Sequence, residues 1–267
     1  GTLIELPLKQ NVNGEILQKF KKLSGVLTVF SKKIRKIDLI QKDEKHDSVE
    51  WLPDTILSIP EAKLEKGSLI LWEGDEYRIK RQVDALHFRC SQGGGLLVGI
   101  ESHGLVPLPV DLPPIWIVSP TREKGRLGFC INGEFEVDAG RARLAGESGK
   151  NTKEAKRIGQ SIGEMLCALF QKTIDDWPIV RDQLRLLPEL THYQFWESVW
   201  TTLTKSWFEP SEKQLDSEVF DVVSNLIGSN SGLGMLIREK NALPNGLWGN
   251  DFQRLIDPKA KIGRAHV

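Results

Sequence analysis

The chain has 267 residues, with 36 acidic and 36 basic side chains, so its formal net charge is zero. Hydrophobic residues make up 40% and charged residues 27%, a balance that excludes a disordered, fibrous or membrane-embedded protein and suits one large or two ordinary domains. Neutrality gives no compositional ground for nucleic-acid binding, which would need a local basic patch.

In chain order, Thr2-Leu3-Ile4-Glu5-Leu6-Pro7-Leu8 alternates and ends near a proline, as a strand would. Asn13 is a candidate cap for a helix carrying Ile16, Leu17, Phe20 and Leu23 at helical spacing. The β-branched run 25–30 suits either state. Ile34, Ile37, Leu39 and Ile40 suggest a strand, and polar 41–48 a loop. Strand signals then dominate, over 55–59, 68–73, 76–83, 85–89, 96–101 and 115–118, with Gly74-Asp75 and Gly93-Gly94-Gly95 as turns. Pro107, Pro109, Pro113 and Pro114 mark an extended connection.

The stretch 126–146 changes character twice. Phe129-Cys130-Ile131 and Phe135-Glu136-Val137 flank Asn132-Gly133, a dipeptide that favours hairpin turns. Asp138-Ala139-Gly140 then breaks the strand, and Arg141 and Arg143 follow on a loop. Paired guanidinium groups on an apolar base suit phosphate or carboxylate recognition, although a hairpin with a solvated basic loop has the same pattern.

Beyond Gly146 the pattern becomes helical. Asn151 and Glu154 resemble a capping box ahead of an apolar face of Ala155, Ile158, Ile162, Met165, Leu166 and Leu169. Gly159 and Gly163 on that helix would let a neighbour approach closely. A second helix starts at Asp176-Trp177-Pro178 and ends before Pro188, and a third carries Phe195, Trp196, Val199, Trp200, Leu203 and Trp207. A fourth covers 215–227; 228–234 reads as a loop, and Pro244-Asn245-Gly246 as a turn. The expected class is α+β: a mixed β-sheet middle domain with packed helices over 10–149, then an all-helical segment over 150–260.

Few motifs carry chemistry. Gly146 to Thr152 departs from a phosphate-binding loop at Leu144 and Asn151, leaving a capped helix start. The histidines lack metal-ligand spacing, no serine lies in a nucleophile elbow, and the tryptophans fall at core spacing. Cys90, Cys130 and Cys167 form neither a disulfide framework nor a CxxC pair, which fits a reducing, cytoplasmic compartment. No signal-peptide pattern and no bilayer-length apolar run is present, so no membrane partner is expected. Gly1 opens directly into strand-like sequence, and 261–267 reads like a translated sequencing adapter. The expectation is a piece of a longer protein, with 261–267 an artefact.

Two stretches together resemble a known family. Gly1-Thr2-Leu3-Ile4-Glu5-Leu6-Pro7-Leu8-Lys9 resembles the closing strand of a GHKL-type ATP-binding domain. Pro120-Thr121-Arg122-Glu123, followed by 129–144, resembles the segment after that domain in sacsin-like proteins, relatives of the ninety-kilodalton heat-shock chaperones. The likeness covers roughly 1–170. It implies that 1–9 is the last strand of a truncated ATP-binding domain and that 10–149 is a middle, or transducer, domain. In such relatives a loop arginine of the middle domain meets the γ-phosphate of ATP. Arg141 is the closest counterpart and Arg143 the alternative, so both are candidate nucleotide contacts and Arg141 the candidate catalytic residue. Gly140 and Ala142 depart from the family's Asn-x-Ser-Arg-Glu context.

The resemblance implies ATP and Mg2+ in the full-length protein, but neither held by this segment alone, because the adenine-reading and metal-binding groups would lie upstream. No metal ligand is expected here. Its implied partners are that ATP-binding domain and a protein client or a second copy. Two other roles fit the residues: a non-catalytic interaction scaffold built on the tryptophan-bearing helices, and a DNA-handling GHKL enzyme using Lys32 to Lys36 against phosphates.

Overall fold

A computed structural model describes residues 13–235 apart from 42–43, 74–78, 110, 118, 124, 141–142, 147, 209–215 and 229–231. The expected strand 2–8 and turn 244–246 lie outside the described residues, as do Gly74-Asp75 and 261–267. The chain divides into two compact units: 1–52 with 68–83, and 53–67 with 84–267.

In the first unit, α1 (Asn13–Phe30) takes in the ambiguous run 25–30 as helix, with Asn13 inside it and not before it. Buried Thr28 and Ser24 suit a helix here because their hydroxyls donate to the carbonyls of Gly25 (2.7 Å) and Lys21 (2.9 Å). Gly25 is required for a further reason: a side chain there would run into the Ile70 backbone carbonyl. After α1, β1 (Lys36–Gln41) pairs antiparallel with β2 (Glu44–Glu50). The expected loop 41–48 is therefore largely strand. Polar residues take part in this ladder without being buried by it: Val49 is in the core, while Asp47 is half-buried and Ser48 exposed. Leu39, Val49 and Trp72 form a small core with Ile37 and Ile70.

The remaining strands are β3 (Asp54–Ser58), β4 (Ala62–Glu73), β5 (Ile79–Cys90), β6 (Gly95–Glu101), β7 (Gly104–Val106), β8 (Ile115–Ile117), β9 (Ser119–Pro120) and β10 (Phe129–Asn132). They form one sheet in the order β3-β4-β5-β6-β10-β8-β9, with β7 also on β6. The described part of the expected strand 76–83, from Ile79 on, merges with 85–89 in β5, and β4 begins six residues before the expected Ser68. β10 runs antiparallel to β6 and parallel to β8, so the sheet is mixed as expected. Residues 95–100 and 129–132 are buried throughout, and these strands read as continuous apolar runs because both faces are covered.

The Asn132-Gly133 hairpin does not form. Gly133 donates its N–H to Trp116 C=O (3.0 Å), and the N–H groups of Glu134 and Glu136 go to side chains of the next helix, so 135–137 has no ladder partner on β10.

That helix is α2 (Gly149–Asp175), capped by Ser148 and not by the expected Asn151; the Ser148 hydroxyl accepts the Asn151 N–H. Its apolar face is as expected, with Ala155, Ile158, Ile162, Met165, Leu166 and Leu169 all buried. The larger five, all but Ala155, each contribute about 1.5–3 kcal/mol by leaving water. Gly163 admits the 232–235 helical turn, since an added Cβ would lie 2.8 Å from Met235 Sδ. Then come α3 (Trp177–Gln183), which stops short of Pro188 with Arg185 at φ 55°, α4 (His192–Phe208) and α5 (Ser217–Ile227). These helices share one apolar core with the sheet, joining Phe88, Val98 and Ile131 to Ile158, Phe195 and Val223. The boundary expected near Ser148 thus falls inside the second unit. Helix α4 docks on β7 through hydroxyls: Ser198 Oγ accepts the Leu105 N–H (2.9 Å) and Thr202 Oγ1 donates to Leu105 C=O (3.0 Å).

Candidate functional site

The arginine loop rises from a small arch over the start of α2. Val137 and Leu144 face each other as an antiparallel bridge. The Asp138 N–H donates to Arg143 C=O, and the Ala145 N–H to Glu136 C=O, both at 2.9 Å. Asp138 Oδ1 also accepts the Arg143 N–H (3.4 Å), drawing the two sides together next to the turn at 139–140. Arg143 is exposed. Arg141, the closer family counterpart, lies outside the described residues.

Side chains from two directions fix the arch. From the segment after β9 comes Glu123, itself 5% exposed, whose Oε1 accepts the Leu144 N–H at 2.6 Å. Thr121 secures that segment by donating both its N–H and its hydroxyl to Ile115 C=O on β8, each at 3.0 Å. From α2 comes Asn151, 6% exposed. Its Oδ1 accepts the Glu136 N–H (2.6 Å), and its Nδ2 donates to Glu136 C=O (3.0 Å) and Ala145 C=O (3.3 Å). One carboxamide thus serves both sides of the arch, as a peptide group would in a ladder. Nearby, the Glu136 carboxylate accepts from Ser148 Oγ (2.8 Å) and Lys150 Nζ (3.1 Å), and these two groups hold its pKa below the ordinary value.

The electrostatics around Glu123 differ. Burial pushes its carboxyl above the ordinary range. The Leu144 N–H pulls it back, the Asp216 side chain hydrogen-bonded to it pushes it up again, and the Arg143 charge opposes both effects of burial and Asp216. The net shift is upward. Asp216 precedes α5, so a helix start, the Glu123 segment and the arginine loop meet here.

Other candidates are structural. Burial drives the thiols of Cys90 and Cys130 up to about 11 and about 12, far from nucleophilic range, and Cys167 is also buried. His87 sits in the sheet 3.4 Å from Glu65, whose carboxylate also meets Arg89 at 3.3 Å. Burial opposes ionisation of Glu65, but these two partners outweigh it and lower its pKa. His192, packed among Phe170, Trp177 and Tyr193, has its pKa lowered by burial. Trp196 and Trp200 belong to the core, the former donating its indole N–H to Thr173 Oγ1 (2.9 Å). Lys32, Lys33 and Lys36 are solvated, with Lys36 paired to Asp38 at 3.3 Å. Among the described residues no group of His, Cys, Asp and Glu could hold a metal ion, and no helix is long and apolar enough to cross a membrane.

Sequence reasoning pointed to the loop but missed its supports. Glu123 is 21 residues from the amide it holds, a separation with no local signature. Asn151 stands where a capping residue is expected, but its carboxamide serves the arch instead. No family model, no curated protein and no solved structure matches the chain.

Proposed function

We propose that this chain is the middle domain of a sacsin-like, heat-shock-chaperone-like ATPase, lending a loop arginine to the γ-phosphate of ATP bound by an adjoining GHKL domain. The observation that carries the reading is an exposed guanidinium, Arg143, on a turn whose base is fixed by Glu123 and Asn151. A catalytic cation works best when held in place before reaction, because no reorganisation is then needed as charge develops. Arg143 is exposed beside the buried Glu123 carboxyl, on which its charge acts, so its guanidinium is accessible to an anionic partner. Arg141, two residues earlier in the sequence, keeps the role that the resemblance gives it. ATP with its Mg2+ supplies the transferable phosphoryl group; this chain contributes the positive charge and its orientation.

Two features link the loop to the rest of the fold: Asn151 joins it to α2, and Glu123 with Asp216 joins it to α5. A change in what the arginines contact would therefore bear on the helical layer, the coupling expected of a transducer. The interaction-scaffold role has less support, since Trp196 and Trp200 are buried and offer no surface.

The test joins the chain to its ATP-binding domain and compares Arg141→Ala with Arg143→Ala. At least one should lower ATP turnover by about 100-fold or more while nucleotide affinity changes little. Unchanged turnover in both would remove the loop from catalysis and the proposal with it.

A further inference from the structure

We infer that Asn151 is a positioning residue for Arg143, tying the two sides of the arch that carries it to the start of α2; this rests on the function proposed above. The arch 133–146 has little conventional support, because 134–137 lacks a strand partner on β10. The first turns of α2 supply it instead. Glu154 Oε1 accepts the Glu134 N–H (2.8 Å), Asn151 takes both backbone groups of Glu136, and Ser148 and Lys150 hold the Glu136 carboxylate. Asn151 alone spans the arch, reaching Ala145 on the returning side.

The carboxamide is specific for this task. One acceptor and two donors are needed, and its oxygen and nitrogen supply them from a buried position. Aspartate has nearly the same shape but would set a carboxylate against the carbonyls of Glu136 and Ala145. Alanine would remove all three bonds, including the only one here from the Asn151 side chain to the returning side, while the Val137–Leu144 bridge, Asp138, Glu123 and the contacts to Glu134 and the Glu136 carboxylate remain. A guanidinium on a loop so loosened spends less time where a phosphoryl group could use it, which lowers the rate of reaction more than the affinity for nucleotide.

The test has two arms, with Asn151→Ala and Asn151→Asp compared with Trp196→Phe, a buried change elsewhere in the helical layer. In this chain, amide hydrogen exchange at Asp138 and Ala145 should become about tenfold faster in both Asn151 variants and stay unchanged in Trp196→Phe. In the protein joined to its ATP-binding domain, kcat should fall roughly 10- to 100-fold with KM for ATP nearly constant. Combining Asn151→Ala with the effective arginine substitution should then cause little further loss. Unaltered exchange in the arch overturns the inference. So does normal kcat in the Asn151 variants when an arginine variant is impaired, and that outcome leaves the proposed function standing. Normal turnover in both arginine variants overturns the proposed function, and the positioning role with it.

Discussion

Replacing Glu154 tests whether α2 is locked to the sheet as its side chains indicate. Glu154 accepts from Arg157 Nε (2.8 Å) and Nη2 (2.7 Å) and from the Glu134 N–H (2.8 Å), while Arg157 Nη2 also donates to Gly93 C=O at 2.8 Å. Three segments meet in this network: the helix, the glycine turn before β6 and the stretch after β10. Glu154→Ala strands the Glu134 N–H and leaves a guanidinium that is 27% exposed without its carboxylate. Bonds to charged groups are each worth about 1.5–3 kcal/mol, and partial exposure lets water replace some of them, so the net loss should be about 2–3 kcal/mol. For a chain of this size that corresponds to a drop in Tm of about 4–10 °C, read by circular dichroism.

A double-mutant cycle with Arg157→Ala should give a coupling of about 1–2 kcal/mol. The effect must also depend on pH. Burial opposes ionisation of Glu154, but Arg157 and the Glu134 N–H outweigh it and lower its pKa from 4.5. Its stabilisation is therefore full above 4.5 and is lost as pH falls through the depressed value, so wild type and Glu154→Gln should converge in acid. Coupling below about 0.3 kcal/mol, or a Glu154→Gln deficit that persists undiminished in acid, would refute the account.

Two glycines should respond in opposite directions. Gly104 has φ +118° and its added methyl would collide with the Ser198 side chain, so Gly104→Ala should cost about 2–4 kcal/mol in a urea titration. Gly149, in the first turn of α2, has open space around it, and Gly149→Ala should stabilise by about 0.4–1 kcal/mol. The thiols give a separate check: Cys90 and Cys130, raised to about 11 and about 12, should resist iodoacetamide in the native chain at neutral pH and react once it is denatured. Rapid native labelling of either would contradict their burial.

The sequence was most legible where one element buries a regular pattern. The face of α2 and the apolar runs of β6 and β10 could be read directly, because burial there follows helical spacing or covers both faces of a strand. Legibility failed where a distant group decides the local state. Glu44–Glu50 is a strand because β1 supplies its ladder, not because its own residues favour one. Asn132-Gly133 signals a hairpin, yet Trp116 C=O and the side chains of Asn151 and Glu154 claim the amides that a hairpin would use. The arginine loop stood out by composition, while the Glu123 carboxylate beneath it could be assigned only from three dimensions.

The docking of α4 on β7 bears on how the molecule avoids its own kind. A short strand at a sheet margin ordinarily leaves backbone donors and acceptors that another chain can pair with, the first step of intermolecular β aggregation. At Leu105 both groups are already taken by Ser198 and Thr202, so an incoming strand would find hydroxyls occupying its hydrogen bonds. Two small polar side chains on a helix thereby close the backbone of this strand at Leu105 to further pairing.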